Sequence, residues 1–264
     1  MKKLCIVLSL MTVSSVLSSC FKNPVTGRSS LNLAPESDMQ QLAVKEYSSF
    51  IGTNRPLTGN DAEMVKRVGN KMVAAVKQFL QERGKSDLIA GYNWEFNLVN
   101  SNEVNAWCMP GGKVAVYTGI LPITQNETGL AVVMGHEIAH AIARHGNERV
   151  SQQLFAQYGG QALSVLMSSK PAETQQIFNY GVGATSTLGI LAFSRKHESE
   201  ADEMGLYFMA MAGYNPEEAI SFWQRMAAKG GQKPPQFLST HPSDETRISQ
   251  LKGWMPKAKA LATH

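Results

Sequence analysis

The chain has 264 residues, of which 43% are hydrophobic, and its formal net charge is +4. This length is enough for one large domain or two small ones with a sizeable hydrophobic core. The small net charge and the lack of a basic cluster argue against a nucleic-acid-binding protein, so we expect no nucleic acid among the partners.

The first 19 residues have the composition of a secretory signal peptide. Lys2 and Lys3 are followed by an uncharged apolar stretch, Leu4–Leu17, which is too short for an ordinary membrane span. Its end, "LSSC", resembles a bacterial lipobox, in which the chain is cut before the cysteine and the cysteine is acylated. We therefore predict a signal peptide over residues 1–19 and lipidation of Cys20. The alternative is a plain signal peptide with a cysteine there by chance.

The predicted lipid would anchor the protein, since no other segment of the sequence is apolar and long enough to span a bilayer. Phe21 rather than aspartate follows Cys20, which by analogy with enteric sorting rules favours the outer membrane. We expect a cell-envelope lipoprotein that faces the periplasm. Cys5 leaves with the signal and Cys20 carries lipid, so only Cys108 remains and no intramolecular disulfide can form. Stability must then come from packing or from a metal.

The elements before the middle of the chain are helices followed by strands. Residues 20–36 are turn-rich and typical of a lipidated tether, and residues 37–264 are predicted to form a single domain. A helix is predicted from near Ser37, and a second over 61–84, where apolar residues form one stripe. Alternation of apolar and polar residues in "YNWEFNLVN" then predicts a small antiparallel sheet over residues 92–118.

The rest of the chain has a helical pattern. Helices are predicted over about 126–145, 151–168, 172–193, 195–212 and 216–229. The predicted fold class is therefore α+β and mostly helical. The apolar, glycine-containing stretch 178–193 is either a lid or groove wall, or a buried core helix.

One predicted helix, Leu130–Ala143 or "LAVVMGHEIAHAIA", is apolar on all sides except for three ionisable residues: His136, Glu137 and His140. Burying such groups without compensation is costly, and a metal ion supplies that compensation. His136 and His140 lie one turn apart on one face, where two imidazoles can reach a tetrahedral zinc. Glu137 beside them can accept a proton from water at the metal, as in the H-E-x-x-H sites of zinc proteases. The alternative is a pair of hydrogen-bonded core histidines.

The third zinc ligand is expected elsewhere, because a catalytic zinc uses three protein ligands. Ala143 and Gly146 occupy the glycine and final histidine positions of the longer metzincin pattern, so that pattern is not completed. His145 is interpreted as a residue at the end of the helix, next to Gly146.

The acidic run "SRKHESEADEMG" (194–205) contains the candidates. On a helix Glu198 and Asp202 share a face, whereas Glu200 lies about 200° round from Glu198 and Glu203 fits less well. One carboxylate of the Glu198–Asp202 pair would bind the metal and the other would orient a ligand histidine. Glu200 and Glu203 are predicted to be ordinary surface acids.

Four blocks of the sequence resemble the HtpX and BepA-like family of gluzincin zinc metallopeptidases, which includes the CAAX prenyl proteases and the Oma-type mitochondrial protease. They are "GHEIAHA", "EADEMG", "NAWCMPGGKVAVYTGIL" (105–121) and "STHPSDETRI" (239–248). The resemblance runs from about residue 60 to 252 and implies a gluzincin-type zincin domain that hydrolyses peptide bonds.

The resemblance also implies roles for single residues. His136, His140 and Glu198 would hold one Zn²⁺ per chain, and Glu137 would be the general base. An edge strand near Gly111–Tyr117 would bind the substrate backbone by strand addition.

Four further residues have open roles. His241 is predicted to donate to the oxyanion during catalysis, or instead to cap the free zinc position and hold the enzyme inactive. Arg195, three residues before Glu198, is expected to neutralise the acids there. Cys108 is either a ligand or redox brake at the zinc cleft, or a small buried strand residue. His197 is interpreted as a polar surface residue, with a ligand role as the alternative.

The predicted function is a zinc-dependent endopeptidase that acts on unfolded or misassembled cell-envelope proteins, with outer-membrane proteins among its polypeptide substrates. Zinc would lower the pKa of its water to about 7, and Glu137 would take the proton. The alternative from another class is a zinc-stabilised periplasmic chaperone or binding module with little proteolysis.

Overall fold

The computed structural model describes residues 20–153, 194–229, 235–241 and 246–262. Within these ranges the protein is mostly helical with two small sheets, which confirms the predicted α+β class. The helices are α1 Glu36–Thr53, α2 Asn60–Glu82, α3 Leu121–Thr124, α4 Glu127–Ile142, α5 Arg195–Met211, α6 Glu218–Ala228, α7 Gln236–Thr240 and α8 Arg247–Leu261. The strands are β1 Cys20–Lys22, β2 Ser29–Leu31, β3 Glu95–Val99, β4 Ala106–Met109 and β5 Lys113–Tyr117.

Most predicted helices within the described ranges are present, with ends shifted by a few residues. Residues 145–153 are helical as well. The predicted helix 172–193, its stretch 178–193, and residues 154–168 lie outside the described residues. None of the helices that the structure describes has an apolar stretch long enough to cross a bilayer.

The three-stranded sheet has the order β3–β5–β4 and is mixed. Strands β4 and β5 are the part of the sheet that is antiparallel, as was predicted for the whole of it. They form a hairpin with Gly111 and Gly112 at positive φ angles of 81° and 83° in its tight turn. Strand β4 runs antiparallel to β3 but does not pair with it, because β5 lies between them. The hairpin reverses the chain again at β5, so β5 pairs with β3 in parallel. The expected edge strand near Gly111–Tyr117 is therefore wrong: β5 is central, and β4 is the edge strand on that side.

Helix α4 lies in the core. Every residue from Gly129 to Ile142 is buried, as its apolar residues on all sides predict. The Asn126 side chain caps the helix by accepting hydrogen bonds from the backbone N–H groups of Thr128 and Gly129. The three ionisable residues of the H-E-x-x-H motif are thereby held inside the protein.

Helices α4 and α5 are in backbone contact where they cross. A Cβ atom added to Gly205 would lie 2.8 Å from the backbone nitrogen of His136 and 2.9 Å from the carbonyl carbon of Gly135. Ala201, one turn before Gly205, is fully buried. The small residues of α5 therefore allow this close approach, which brings the α5 acids beside the α4 histidines.

Strands β1 and β2 and the turn between them form the N-terminal hairpin, Cys20–Leu31. Phe21 is buried against the hydrophobic core. Just after the hairpin, the backbone N–H of Leu33 donates to Ser151 Oγ at 2.9 Å. Residues 20–36, expected to be a tether, are thus packed onto the domain.

Candidate metal centre

Four buried side chains bring their ligand atoms within 4.8 Å of one another: His136, His140, Glu198 and His241. The Nε2 atoms of His136 and His140 are 3.0 Å apart, and the Glu198 carboxylate lies 3.3 Å from the first and 3.4 Å from the second. Ligand atoms around a tetrahedral zinc, with bonds of about 2.0–2.1 Å, lie about 3.3 Å apart. The two histidines and Glu198 therefore fit a zinc ion.

Asp202 sets the hydrogen position on His136. Its Oδ1 atom lies 2.9 Å from His136 Nδ1, and a carboxylate can only accept, so neutral His136 carries its hydrogen on Nδ1. The Nε2 atom then presents a lone pair to the centre of the group. This is the contact that was expected of the acid one turn after Glu198.

Arg247 neutralises the acids of α5 at this point. Its Nε donates to Asp202 at 2.6 Å and its Nη2 donates to Glu198 at 2.8 Å. The guanidinium also lies 3.8 Å from the centre of the Trp223 ring. Arg195, which was expected to do this, is the exposed first residue of α5. In the sequence, Arg247 lies in the block "STHPSDETRI", which resembles the peptidase family. Only His241 of that block was given a role from the sequence.

The electrostatics of the group favour a cation at its centre. Burial lowers the pKa of His136, but the carboxylates of Glu198 and Asp202 outweigh it and raise this pKa to about 10. Burial raises the pKa of Glu198, but His241 and His136 outweigh it and hold this pKa well below its usual range. Burial lowers the pKa of His140 well below its usual value, which keeps this imidazole neutral as a metal ligand requires.

Glu137 lies beside the group and is buried. Its Oε1 atom has no hydrogen-bond partner among the described residues, although His241 Nε2 approaches it to 3.5 Å. Burial raises the pKa of this carboxyl above its ordinary value. A buried carboxyl with an open oxygen and a raised pKa suits proton exchange with a group bound next to it.

His241 follows α7, a short helix that ends at Thr240. Its Nδ1 atom lies 3.1 Å from Glu198 Oε1 and 3.3 Å from His136 Nε2. These distances match those between the other three ligands. The structure thus places His241 among the candidate ligand atoms, where it could fill the position that a catalytic zinc site keeps open.

Three residues with no expected buried role are buried: His145, His197 and Glu200, with exposures of 0%, 2% and 6%. The surface positions predicted for His197 and Glu200 are therefore wrong. For His145, α4 ends at Ile142 and Arg144 takes a positive φ of 55°, so His145 begins the next helical segment, inside the protein. Glu203, in contrast, stays partly exposed and accepts a hydrogen bond from Tyr207.

The partner of these buried groups is the N-terminal hairpin. Arg28 pairs with Glu148 at 2.6 Å and with Glu200 at 2.7 Å. His197 pairs with Glu148 at 3.0 Å and stacks on His145 with ring centres 4.5 Å apart. We call these five residues the Arg28 cluster. Sequence reasoning missed it, because Arg28 and Glu200 are 172 residues apart and no motif joins them.

Cys108 and Cys20 remain free thiols in the described structure. Burial, helped by the nearby Glu137 carboxylate, raises the pKa of the Cys108 thiol well above its ordinary value. A protonated thiol is a poor zinc ligand, which favours the interpretation of Cys108 as a strand residue. Cys20 is exposed at the first residue of β1.

Comparisons with known proteins identify metallopeptidases as relatives of this chain. Residues 61–255, more than half of the chain, match the profile of peptidase family M48. The chain is 35% identical over 245 residues, 89% of its length, to the mitochondrial metalloendopeptidase OMA1 of Schizosaccharomyces pombe, of which it covers 66%. It is 30% identical to human metalloendopeptidase OMA1, mitochondrial, over 89% of the chain and 46% of that protein.

A bacterial relative is similar over a shorter stretch. The chain is 29% identical over 164 residues to the beta-barrel assembly-enhancing protease of Escherichia coli strain K12, which is 60% of the chain and 34% of that protein. The chain thus spans between about a third and two thirds of the length of these relatives.

Proposed function

Because the chain belongs to peptidase family M48, we propose that it is a zinc-dependent endopeptidase for unfolded or misassembled cell-envelope proteins. The observation that carries the proposal is the buried carboxyl of Glu137 beside the group formed by His136, His140 and Glu198. A metal held only for stability would need its protein ligands but no open acid next to them.

The residues of the site have two proposed roles: some would bind the metal, and one would transfer a proton. Zinc held by His136, His140 and Glu198 would supply a Lewis acid for the scissile carbonyl and lower the pKa of an attacking water. Glu137 accepts the proton of that water, and its raised pKa lets it pass the proton on to the leaving amine. Asp202 holds the ring of His136 in place through its 2.9 Å contact with Nδ1.

His241 has two candidate roles, and the geometry supports one of them. A donor to the oxyanion would face the substrate, whereas here Nδ1 of His241 lies among the ligand atoms and Nε2 faces Glu137. We propose that His241 caps the fourth ligand position and withdraws before a substrate enters. With His241 in that position, the fourth ligand site would not be available to a water or a substrate.

The exchange Glu137→Gln tests the proposed activity. The variant should keep its fold and its zinc, since Glu137 is not among the proposed ligands, but should cleave casein at least about 100-fold more slowly. Zinc content, thermal unfolding and the cleavage rate measured together decide the matter. Unchanged cleavage would contradict the role of Glu137. A wild-type protein that binds unfolded envelope proteins but cleaves none would favour the binding module.

We propose further that acylated Cys20 anchors the protein to the outer membrane, facing the periplasm, after removal of residues 1–19. The lipobox-like sequence and the exposure of Cys20 support this. The name of the E. coli relative supports outer-membrane proteins as substrates. In a Gram-negative host, labelled palmitate should enter the wild-type protein but not Cys20→Ser, and gradient fractionation should find only the wild type with outer membranes.

A further inference from the structure

The two histidines of the H-E-x-x-H motif are supported in different ways. His136 is held directly by a carboxylate, through the Asp202 contact already described. The Nδ1 atom of His140 instead faces a second imidazole, with His145 Nδ1 at 2.9 Å. If His140 presents its Nε2 lone pair to a metal, its hydrogen sits on Nδ1, and His145 Nδ1 must accept it.

The other ring nitrogen of His145 determines the direction of this hydrogen bond. Its Nε2 atom lies 3.1 Å from Glu200 Oε2, and the carboxylate can only accept, so the His145 hydrogen is on Nε2. The Nδ1 atom of His145 is then free of hydrogen and can accept from His140. Both imidazoles are thus held in the hydrogen arrangement that metal binding by His140 requires.

Glu200 is in turn held by the N-terminal hairpin. Arg28 Nε lies 2.8 Å from each Glu200 oxygen, and the Thr26 hydroxyl donates to Oε1 at 2.7 Å. The terminal nitrogens of Arg28 donate to both oxygens of Glu148, at 2.7 and 2.6 Å. Arg28 therefore joins α5, which carries Glu200, to the helical residues 145–153, which begin with His145.

We propose that Arg28 and Glu200, acting through His145, orient the zinc ligand His140, so that the N-terminal hairpin is part of the metal centre. They are positioning residues, since the contacts described above lead from them to the ligand group through His140. The proposal rests on the zinc site of the proposed function and adds three residues to it. Residues in such supporting positions typically change metal affinity about 10–100-fold when replaced.

The exchange His145→Phe tests the contact between His145 and His140, because phenylalanine keeps a ring but has no nitrogen to accept a hydrogen bond from His140. The matched control is His197→Phe, which removes a buried imidazole from the Arg28 cluster, where His197 pairs with Glu148. Zinc affinity of the full chain is measured by competition with a chelator, without substrate. We expect about 10–100-fold weaker binding for His145→Phe and a change of less than about threefold for His197→Phe. Equal losses in both variants would mean that only packing was disturbed and would overturn the proposal.

Two exchanges at Arg28 test its contact with Glu200 and do not depend on whether His145→Phe folds. Arg28→Gln should weaken zinc binding about tenfold, and Arg28→Lys, which keeps the charge beside Glu200, should restore most of the affinity. The visible spectrum of the Co²⁺-substituted protein should change for Arg28→Gln, since it reports the ligand geometry. Wild-type zinc affinity and spectrum in both variants would overturn the proposal.

These outcomes are separate from those that test the proposed activity. A wild-type protein that binds zinc but cleaves no substrate would contradict the endopeptidase and leave the role of Arg28 intact. A wild-type protein that cleaves, together with a His145→Phe variant that binds zinc equally well, would overturn the positioning proposal and leave the proposed endopeptidase intact.

Discussion

Glu198 and Glu200 stand two residues apart on α5 and face different parts of the protein. Glu198 lies in the ligand group, and Glu200 contacts His145 and the N-terminal hairpin. The sequence alone was enough to predict that the two acids face different ways, because their angle around the helix depends only on their spacing within it. It could not show that Glu200 is buried, because its partner Arg28 comes from a distant hairpin with no motif.

The ligand assignment predicts a clear difference between two acids of α5. Glu198→Ala should lose zinc, because only the histidines remain to hold it and the anionic ligand is gone. Glu203→Ala should keep its zinc, since Glu203 is partly exposed and contacts Tyr207. Metal analysis of the two purified proteins is the measurement. Zinc retained in Glu198→Ala at the wild-type level would remove Glu198 from the ligand set.

Removal of the His241 side chain should raise activity. If His241 caps the fourth position, His241→Ala opens that position while the other three ligands keep the zinc. Initial rates on a quenched fluorescent peptide should then rise, by about threefold or more, at an unchanged zinc content. A fall in the rate instead would restore His241 to the role of oxyanion donor.

The H-E-x-x-H helix and its burial could be predicted, since an apolar helix with three ionisable residues needs compensation inside a protein. The grouping of its two histidines with Glu198 could be predicted as well. Its contact with α5 was also foreseeable from Gly205 and Ala201. The sheet was only partly predictable. Alternation identifies a strand and a tight turn identifies a hairpin, but neither specifies the strand on the other side of β5. The parallel pairing with β3 depends on the path of the chain between β3 and β4.

The crossing of α4 and α5 predicts opposite effects of two glycine exchanges. Gly205→Ala places a methyl group against the backbone of His136 and should lower the free energy of unfolding by about 1–3 kcal/mol. Gly253→Ala, in α8, meets no atom within 4 Å and should raise it by about 0.5–1 kcal/mol. Urea unfolding of both variants measures the difference. A Gly205→Ala protein as stable as the wild type would show that the helices can separate at no cost.

At the scale of the whole molecule, the N-terminal hairpin joins elements that are far apart in the sequence. Arg28 contacts α5 and the helical residues 145–153, and Phe21 packs into the hydrophobic core. Composition predicted a tether here, because the segment is rich in turn-forming and polar residues. Its docking depends on two carboxylates, Glu148 and Glu200. They come close to Arg28 only in the folded protein, so the sequence does not show this contact.

These carboxylates predict a loss of stability in acid. Burial raises the pKa of Glu148 and of Glu200, but their histidine partners and Arg28 outweigh it and lower each pKa from 4.5 to about 2. Since the unfolded chain takes up protons at higher pH than the folded one, their stabilisation is complete above pH 4.5. It is lost as the pH falls from about 4.5 to about 2.

Urea unfolding between pH 7 and pH 2.5 measures this effect. The Arg28→Gln variant should lose less stability than the wild type over the acid range, because its carboxylates are protonated at a higher pH in the folded state. Parallel curves for the two proteins would show that Arg28 does not depress these pKa values.

If Cys20 is acylated and the chain is the endopeptidase proposed above, the docking of the hairpin would also set the distance from the membrane at which it can cut. Phe21, directly after Cys20, is already buried, so an acyl chain on Cys20 would be attached to the body of the domain with no spacer. A free segment over residues 20–36 would add an average reach of about 20 Å. Without it, a domain of this size reaches about 45 Å from the lipid surface. The substrates of such an enzyme would be chains that emerge from the membrane or lie against it, cut within one domain height of the bilayer.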